Sequence, residues 1–294
     1  RTYTYQLLRH LTMAGGDYRL FWPGAEYLCY REGSGTGFLP LETAADAWEQ
    51  TYLPQQLQAE QIDLYHVPQN GIGLPAVKVC RQTATIHDLI PYLYPETVGK
   101  RYLQTFLSQM PAIMEQCDGI ITVSECSKRD IVTLFGYPAE RIAVIYEAAE
   151  PHYQPLDQAY CQQQLANVYG IRQPFLLYVG GFSPRKNVRA LLVAYSQLPE
   201  ALRRRYLLVC PGLLQGDDYQ KLASALRIQD RVVFPGFVPV AQLPLFYNGA
   251  TLFCYPSFYE GFGLPLLEAM ACGCPVLAAD TSSLPEVGGD SVAY

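Results

Sequence analysis

Short apolar runs alternate along the chain with longer segments in which apolar residues recur at the helical period. The short runs are rich in β-branched residues and predict strands, whereas the periodic segments predict helices. Alternation of this kind is typical of βαβ units built on parallel sheets. The predicted strands are Ile62–Val67, Thr83–Asp88, Gly119–Val123, Ile142–Tyr146, Phe175–Val179, Tyr206–Cys210, Val232–Phe234, Leu252–Tyr255 and Pro275–Ala279.

Helices are predicted between these strands, and the pattern breaks once near the middle of the chain. Ser124 precedes one of the helices and is its predicted N-cap. From Glu147 to about Pro155 there are two prolines and no periodicity, which indicates a domain boundary. We therefore predict an α/β protein with two doubly wound domains in tandem, residues 1–150 and 151–294. The clearest predicted helices are Tyr102–Glu115, Ser124–Phe135, Val188–Leu198 and Leu264–Cys272.

Length and composition are those of a soluble two-domain protein. The chain has 294 residues, of which 50% are apolar and 16% are charged. A net charge of −6 argues against nucleic acid as a partner. The charge also gives no support to a peripheral membrane contact. No apolar run approaches the roughly 20 residues that a membrane-spanning helix needs.

The nine cysteines do not suggest a metal site or a disulfide framework. They are odd in number, scattered, and without Cys-x-x-Cys pairs at metal-ligand spacing. Cys272 and Cys274 lie too close together, on a helix end and the next strand, to suggest zinc. We expect reduced, mostly buried thiols and a cytoplasmic location.

The second domain carries a glycine-containing segment, Tyr178-Val-Gly-Gly-Phe-Ser-Pro-Arg-Lys-Asn187, where a strand gives way to a helix. Gly180 and Gly181 allow a sharp turn that exposes backbone N–H groups. Arg185 and Lys186 follow at the start of the helix, whose positive end favours an anion. The planar guanidinium and the compact ammonium suit two adjacent phosphates. A tight turn with two solvated cations explains this segment alone equally well.

A second segment, Pro256-Ser-Phe-Tyr-Glu-Gly-Phe-Gly-Leu-Pro-Leu-Leu-Glu268, also joins a strand to a helix. Gly261 and Gly263 form the turn, and the proline at 265 suits the first helical position. Free amides at the helix start suit phosphate or sugar hydroxyls. Glu268, one turn into the helix, is placed to accept ribose hydroxyls. An acidic helix start that complements the dipole would explain one glutamate, but not this whole combination.

Together the two segments resemble glycosyltransferase family 4, a family of retaining transferases with the GT-B fold. The resemblance rests on Glu260-x7-Glu268 behind the Gly-Gly loop that ends in Arg185-Lys186-Asn187. It extends from one end of the chain to the other, and its strongest motifs lie in the second domain. Supporting segments are Val232-Val-Phe-Pro-Gly-Phe237, Tyr247-Asn-Gly-Ala250 and Ser282-Ser-Leu-Pro-Glu-Val287.

The resemblance implies a donor site for a nucleoside diphosphate sugar in a cleft between the two domains. Arg185 and Lys186 would clamp the diphosphate, and Glu268 would hold the ribose. Glu260 would contact the transferred sugar, and Phe237 would border the nucleobase. The backbone amides of the turn would also contact the sugar, and no metal or further cofactor would be needed. The amides are those of Phe262, Gly263 and Leu264, which follow Gly261 in the motif.

The first domain would form the acceptor side. Thr85-Ile-His87-Asp88-Leu89 lies at the carboxyl end of a predicted strand, where open α/β sheets place ligand-binding groups. The resemblance assigns His87 to the donor sugar, and a hydrogen-bonded histidine at a sheet edge is the structural alternative. The loop Gln69–Pro75 fits a pocket lining or a plain turn equally well. His10, His66 and His152 are expected to be structural.

Relatives of this kind differ from the chain at both ends and at the hinge. The resemblance implies a strand with a glycine-rich loop before Arg1 and closing helices after Tyr294, so a sequence cut at both ends is expected. The hinge Tyr146-Glu147-Ala148-Ala149 differs from the commoner Asn-Gly version. Activity of this stretch alone is therefore not implied.

The implied reaction moves a hexose, with mannose as the first candidate, from GDP-mannose to a hydroxyl of a saccharide or a lipid-linked saccharide. The sequence of the second glycine-containing segment resembles that of transferases of bacterial polysaccharide assembly. UDP-hexoses and dTDP-rhamnose stay open as donors. The alternatives are a non-catalytic nucleotide-sugar-binding domain, a sugar-nucleotide epimerase or a phosphorylase on the same fold. An epimerase needs acid/base carboxylates in the first domain, where Asp88 is the one candidate, and a phosphorylase usually needs a longer chain.

Overall fold

The chain is built from α/β units. A computed structural model describes residues 2–14, 17–23, 37–41, 48–212 and 218–294. Two compact units divide these residues. The first is Arg1–Leu89, Lys100–Thr122 and Lys128–Ile145, and the second is Ile90–Gly99, Val123–Ser127 and Tyr146–Tyr294.

A four-stranded parallel sheet forms the centre of the first unit. Its strands β3 (Leu64–Val67), β4 (Arg81–Ile86), β5 (Gly119–Thr122) and β6 (Ile142–Val144) lie side by side in chain order. A separate parallel pair joins β1 (Arg19–Pro23) to β2 (Gly37–Leu41). The helices of this half of the chain are α1 (Thr2–Ala14), α2 (Leu53–Ala59), α3 (Ile90–Leu93), α4 (Lys100–Gln116) and α5 (Glu125–Phe135).

A five-stranded parallel sheet forms the centre of the second unit, in the order β11-β10-β7-β8-β9. The order reverses between β7 and β10, which are neighbours at the centre of the sheet. The strands are β7 (Phe175–Leu177), β8 (Leu207–Val209), β9 (Val232–Val233), β10 (Leu252–Tyr255) and β11 (Val276–Ala278). The helices are α6 (Gln158–Tyr169), α7 (Val188–Gln197), α8 (Glu200–Arg205), α9 (Asp218–Ala225), α10 (Leu243–Gly249), α11 (Leu264–Ala271) and α12 (Leu284–Gly288).

Alternate residues of the central strands pack into two separate cores, one on each face of this sheet. Leu177 and Val209 belong to a core that α10 and α11 cover. Tyr178 and Leu208 belong to a core that α7 and α9 cover. Because both faces are buried, these strands read in sequence as continuous apolar runs.

Every predicted strand is present, but most are shorter than predicted. Thr83–Asp88 is displaced: β4 begins at Arg81 and ends at Ile86, so His87 and Asp88 lie beyond the sheet. The polar residues Arg81 and Gln82 gave no strand signal, although they pair with β3, and β4 pairs with β5 only as far as Ile86. The predicted N-cap is confirmed, since the Ser124 hydroxyl accepts a hydrogen bond of 2.9 Å from the Ser127 N–H.

Within the described ranges, no helix combines the length and the apolar character needed to cross a bilayer. The same residues contain no group of three or more His, Cys, Asp and Glu side chains that could hold a metal ion. Eight of the cysteines are described, all as free thiols, and seven of these are buried.

Glu147 lies in the irregular segment that follows β6. Its side chain is half-buried, and burial raises its pKa from the usual 4.5 to about 7. A carboxyl group with a raised pKa binds its proton more tightly in the folded state than in the unfolded state. Its contribution to stability is therefore complete below about pH 4.5 and is lost as the pH rises towards 7.

We predict that Glu147→Gln stabilises the protein at pH 8 and has little effect at pH 4. The melting temperature of the variant should exceed that of the wild type by at least about 2 °C at pH 8, because glutamine carries no charge to desolvate. Thermal unfolding at both pH values measures this. Glu140→Gln, at an exposed position, is the control, and a Glu147→Gln difference that does not change with pH would contradict the prediction.

Candidate functional site

The two glycine-containing segments leave the sheet from neighbouring strands. One follows β7 and the other follows β10, and these strands pair in register at Leu177 and Phe253. The carboxyl ends of these two parallel strands lie side by side at the same end of the sheet. This is the point where the strand order reverses. This is the position at which open α/β sheets place ligands.

Glycines shape the first segment. Gly180 has φ +152°, and a Cβ there would lie 2.9 Å from the Tyr178 hydroxyl oxygen. Gly181 is exposed, and a Cβ there would meet no atom within 4 Å. The chain then makes a 3-10 turn at Pro184–Lys186 before α7 begins at Val188. The turn places two successive cations at the edge of the sheet, as predicted.

Two hydrogen bonds to backbone carbonyl groups connect the two segments. The Phe258 N–H donates to the Arg185 carbonyl at 2.9 Å. The Asn187 side-chain amide donates to the Pro256 carbonyl at 3.2 Å. Asn187 itself has a left-handed conformation, with φ +55°. These bonds fix the cationic turn against the glutamate-bearing turn.

Arg185, Lys186 and Glu260 form one ion-paired cluster. The Glu260 carboxylate accepts from Arg185 Nη1 at 3.0 Å with one oxygen and from Lys186 Nζ at 2.6 Å with the other. The three side chains are only 9–15% exposed. Arg185 Nη1 also donates to the Tyr259 carbonyl. Lys186 Nζ donates to the Tyr255 hydroxyl at 3.2 Å.

The charges of the cluster keep Glu260 ionised. Burial alone would raise the pKa of the Glu260 carboxyl, but the positive charges of Lys186 and Arg185 outweigh burial. The pKa therefore lies below its usual 4.5. One negative charge faces two positive charges, so the cluster carries an excess positive charge in a largely dry setting.

Arg185 retains an unused donor. Its Nε atom is buried and has no hydrogen-bond partner among the residues that the structure describes. A buried donor without a partner is unfavourable. A guanidinium that has engaged one carboxylate still has the capacity to bind a further anion.

Glu268 lies in α11 and meets two tyrosines. Its carboxylate accepts a hydrogen bond of 2.8 Å from the Tyr247 hydroxyl. Burial raises the pKa of the Glu268 carboxyl, and hydrogen bonds from Tyr247 and Tyr153 act in the opposite direction. The side chain is half-buried. Two tyrosines therefore orient the carboxylate that the sequence suggested for ribose.

The turn between the glutamates is buried at Gly261, Phe262 and Gly263. Gly263 caps α11 with φ +119°, and a Cβ there would lie 2.9 Å from a Leu284 methyl group. The helix begins at Leu264, so the proline occupies the second helical position and not the first as predicted. Proline is tolerated there because the N–H groups of the first turn have no partner in the helix.

Phe237 is an exposed side chain, with 66% of its surface accessible. It follows β9, a strand of the same sheet, and the backbone of the preceding residue Gly236 accepts a hydrogen bond of 2.8 Å from the Gly212 N–H. An exposed aromatic ring beside a fixed backbone is available for stacking. Its assignment to the nucleobase stays a prediction.

His87 is held by neighbours in the first unit. Its Nε2–H donates to the Pro68 carbonyl at 3.0 Å, and its backbone N–H donates to Asn70 Oδ1 at 2.8 Å. The Tyr3 ring meets the imidazole edge-on, with ring centres 4.5 Å apart. Burial lowers the pKa of His87, which favours the neutral ring. The loop Gln69–Pro75 thus orients His87, a function that the sequence did not indicate.

The charged side chains of the candidate site are recognisable in the sequence, whereas the groups that hold them are not. Tyr247 and Tyr153 reach Glu268 from other parts of the chain. Tyr255 is the last residue of β10, and its hydroxyl accepts a hydrogen bond from Lys186. No local spacing marks these tyrosines among the 23 of the sequence. His66, predicted to be structural, bonds to Thr83 and Thr85 of β4 at 2.9 and 3.0 Å.

We predict that Glu260→Gln destabilises the protein by about 3–5 kcal/mol near pH 7, because two largely buried cations lose their counter-charge. The pKa of Glu260 is lowered in the folded state, so this advantage of the wild type is present above pH 4.5 and is lost as the pH falls through the lower value. Denaturant unfolding from pH 7 to pH 4 measures both effects.

The matched control is Glu200→Gln, which breaks the exposed pair with Arg204. Exposed pairs contribute little, so this variant should lose less than about 1 kcal/mol. Equal losses in the two variants would show that the buried cluster has no special role in stability.

Two curated relatives have substantial sequence identity to the chain. The O-antigen chain mannosyltransferase B of Escherichia coli is 38% identical over 231 residues, which cover 78% of this chain and 60% of that protein. The serotype-specific mannosyltransferase WbdA of Escherichia coli is 33% identical over 231 residues, which cover 76% of this chain and 28% of that protein. In both cases the chain spans less than two thirds of the relative's length.

Solved structures have the same fold. Sucrose-phosphate synthase from Thermosynechococcus elongatus superposes with a TM-score of 0.70 at 22% identity, over 96% of this chain and 76% of that one. A sequence identity of 22% supports a shared fold and nothing further. The predicted fold class, two Rossmann-like α/β domains in tandem, is thereby confirmed.

Family profiles match both halves of the chain. Residues 163–293 match the family described as glycosyl transferases group 1. Residues 1–152, just over half of the sequence, match the family described as Glycosyltransferase Family 4. The chain therefore belongs to glycosyltransferase family 4.

Proposed function

We propose that the protein is a retaining, metal-independent glycosyltransferase. It transfers a hexose from a nucleoside diphosphate sugar to a hydroxyl group of a saccharide or a lipid-linked saccharide. The observation that carries this proposal is the pair of successive cations, Arg185 and Lys186, held at the carboxyl ends of two adjacent strands. Their excess positive charge and the unused Arg185 Nε suit an anionic ligand.

Each part of a nucleotide sugar has a candidate partner in the second unit. Arg185 and Lys186 would bind the diphosphate, with Gly180 and Gly181 leaving room for it. Glu268, oriented by Tyr247 at 2.8 Å, would accept the ribose hydroxyls. The exposed ring of Phe237 would border the base. The assignment of His87 to the transferred sugar rests on the family resemblance.

The reaction exchanges one bond at the anomeric carbon for another. The bond to the terminal phosphate oxygen breaks, and the acceptor oxygen forms its bond on the same face of the sugar. The acceptor proton leaves with the departing phosphate oxygen. Arg185 and Lys186 neutralise the charge that develops on the phosphate, which is a large term in reactions of this kind. Glu260 is a poor nucleophile here, because both of its oxygens are engaged by cations.

Metal independence follows from the same cluster. A divalent ion bound to a diphosphate serves to neutralise its charge, and two fixed cations beside a helix start do the same. The reaction should therefore proceed in the presence of a chelator. The predicted cytoplasmic location belongs to the same proposal, and it rests on the reduced thiols expected from the sequence.

Mannose is the first candidate for the transferred sugar. Two relatives at 38% and 33% identity are described as mannosyltransferases, and one of them as acting on O-antigen chains. GDP-mannose is accordingly the first candidate donor, and a bacterial polysaccharide intermediate is the first candidate acceptor.

We predict that one nucleoside diphosphate out of GDP, UDP, dTDP and ADP raises the melting temperature, with GDP expected to act most strongly. A ligand that binds only the folded state stabilises it by mass action. The shift should be unchanged by magnesium or chelator and should disappear in Glu268→Ala. Glu200→Ala, which removes an exposed carboxylate paired with Arg204, is the control. A shift that requires magnesium would contradict metal independence.

We predict that Arg185→Ala lowers kcat about 100-fold or more, because it removes a preorganised cation from the developing phosphate charge. Release of nucleoside diphosphate in the presence of acceptor measures turnover. Arg172→Ala, at an exposed position before β7, should retain wild-type turnover. Near-normal turnover of Arg185→Ala would overturn the assignment, and nucleotide binding without transfer in the wild type would favour the non-catalytic alternative.

A further inference from the structure

A buried serine holds two carbonyl groups of the turn that carries Glu260. The Ser283 hydroxyl lies 2.9 Å from the Glu260 carbonyl and 2.6 Å from the Phe262 carbonyl, and it donates to both. A hydroxyl has one proton, so the two carbonyl oxygens share it. Ser283 is fully buried and makes no capping bond to α12. Its hydroxyl therefore acts on this turn alone.

The carbonyl between these two is held from another side. The Ser124 hydroxyl donates to the Gly261 carbonyl at 2.6 Å, and the Ser127 hydroxyl lies 3.3 Å from the same oxygen. Both serines are fully buried, and like Ser283 they belong to the second compact unit. The carbonyls of three successive residues are thus fixed by hydroxyl groups that solvent does not reach.

Fixing a carbonyl also fixes the next N–H group. The peptide bond is planar, and in its trans form the C=O and N–H of one unit point in opposite directions. No described peptide bond is cis. The N–H groups of Gly261 and Gly263 therefore point away from Ser283, and the N–H of Phe262 points away from Ser124.

These N–H groups donate to no atom of the residues that the structure describes. The amides of Gly261, Phe262 and Gly263 donate no hydrogen bond within residues 48–212 and 218–294. All three residues are buried. Buried amides are nearly always paired, and an unpaired one is unfavourable. An oxygen acceptor from a ligand would satisfy them.

We propose that Ser283 is a positioning residue of the donor site. Its single hydroxyl aligns the N–H groups of Gly261 and Gly263 so that both donate to oxygen atoms of the nucleotide sugar, on the terminal phosphate or on the sugar. This inference rests on the proposed function, because it takes the ligand to be a nucleotide sugar. Ser283 never touches the ligand and acts through the backbone.

The test compares three variants of Ser283 in the whole protein. Ser283→Ala removes the hydroxyl, Ser283→Cys keeps the size with a much weaker donor, and Ser283→Thr restores the donor. The matched control is Ser196→Ala, which removes a serine hydroxyl that donates to the Val193 carbonyl at 2.7 Å, at the far end of α7. Titration calorimetry measures the affinities for GDP-mannose, GDP and GMP, and a melting curve accompanies each variant.

Ser283→Ala and Ser283→Cys should bind GDP-mannose about tenfold more weakly than the wild type, because two hydrogen bonds to the ligand lose their alignment. Ser283→Thr and Ser196→Ala should keep the wild-type affinity. GMP affinity should be unchanged in every variant, since a loss of structure would weaken all the ligands together. An equal loss for GDP places the acceptor oxygen on the phosphate, and a loss confined to GDP-mannose places it on the sugar.

The inference is overturned if Ser283→Ala, or Ser283→Cys should the alanine variant not fold, binds GDP-mannose as the wild type does. A tenfold loss for GMP as well would also overturn it, because the serine would then support the unit in general. If the wild type binds none of GDP, UDP, dTDP and ADP, the proposed function fails, and the positioning role fails with it.

Discussion

One buried carboxylate, that of Glu260, determines how the candidate site of the second unit is built. Arg185 and Lys186 are successive residues, and two cations so close together would repel each other in a dry setting. One carboxylate oxygen of Glu260 lies 3.0 Å from Arg185 Nη1, and the other lies 2.6 Å from Lys186 Nζ. The carboxylate thereby holds both cations at the carboxyl ends of the central strands. Hydrogen bonds between the two turns keep the pairing in place.

The cluster is ready for a ligand because its charges do not balance. A diphosphate carries more negative charge than one carboxylate, so the proposed ligand would compete with Glu260 for the same two cations. The cations are already oriented, so in the proposed reaction little reorganisation would be needed when charge develops on the leaving phosphate. The neighbouring turn adds aligned amide groups, and α11 adds the carboxylate of Glu268.

The sequence predicted the sheets and the charged residues because both are locally encoded. Buried parallel strands read as apolar runs, and glycines, prolines and paired charges mark the turns between strand and helix. The supporting groups are not encoded in this way. Ser124 lies 137 positions from the Gly261 carbonyl that it holds, and Tyr247 reaches Glu268 from another helix. Such contacts depend on the tertiary fold, and one serine or tyrosine among many gives no local signal.

Strand ends were the weakest part of the prediction for a related reason. The predicted strand includes the polar residues His87 and Asp88, yet pairing with β5 stops at Ile86. Hydrophobicity reports burial, whereas a strand ends where its partner ends. His87, just beyond that point, leaves the ladder and bonds instead to Pro68 and Asn70.

The double-sided core of the second sheet affects how the site responds to stress. β7 and β10 are central strands, and buried residues of both, among them Leu177 and Phe253, belong to one large apolar cluster. Local fraying begins at edges and termini, whereas central strands exchange their amide protons only when the cooperative unit opens. The turns that carry Arg185 and Glu260 are rooted in the slowest-opening part of the unit. We therefore expect the site to be lost on heating together with the unfolding of that unit.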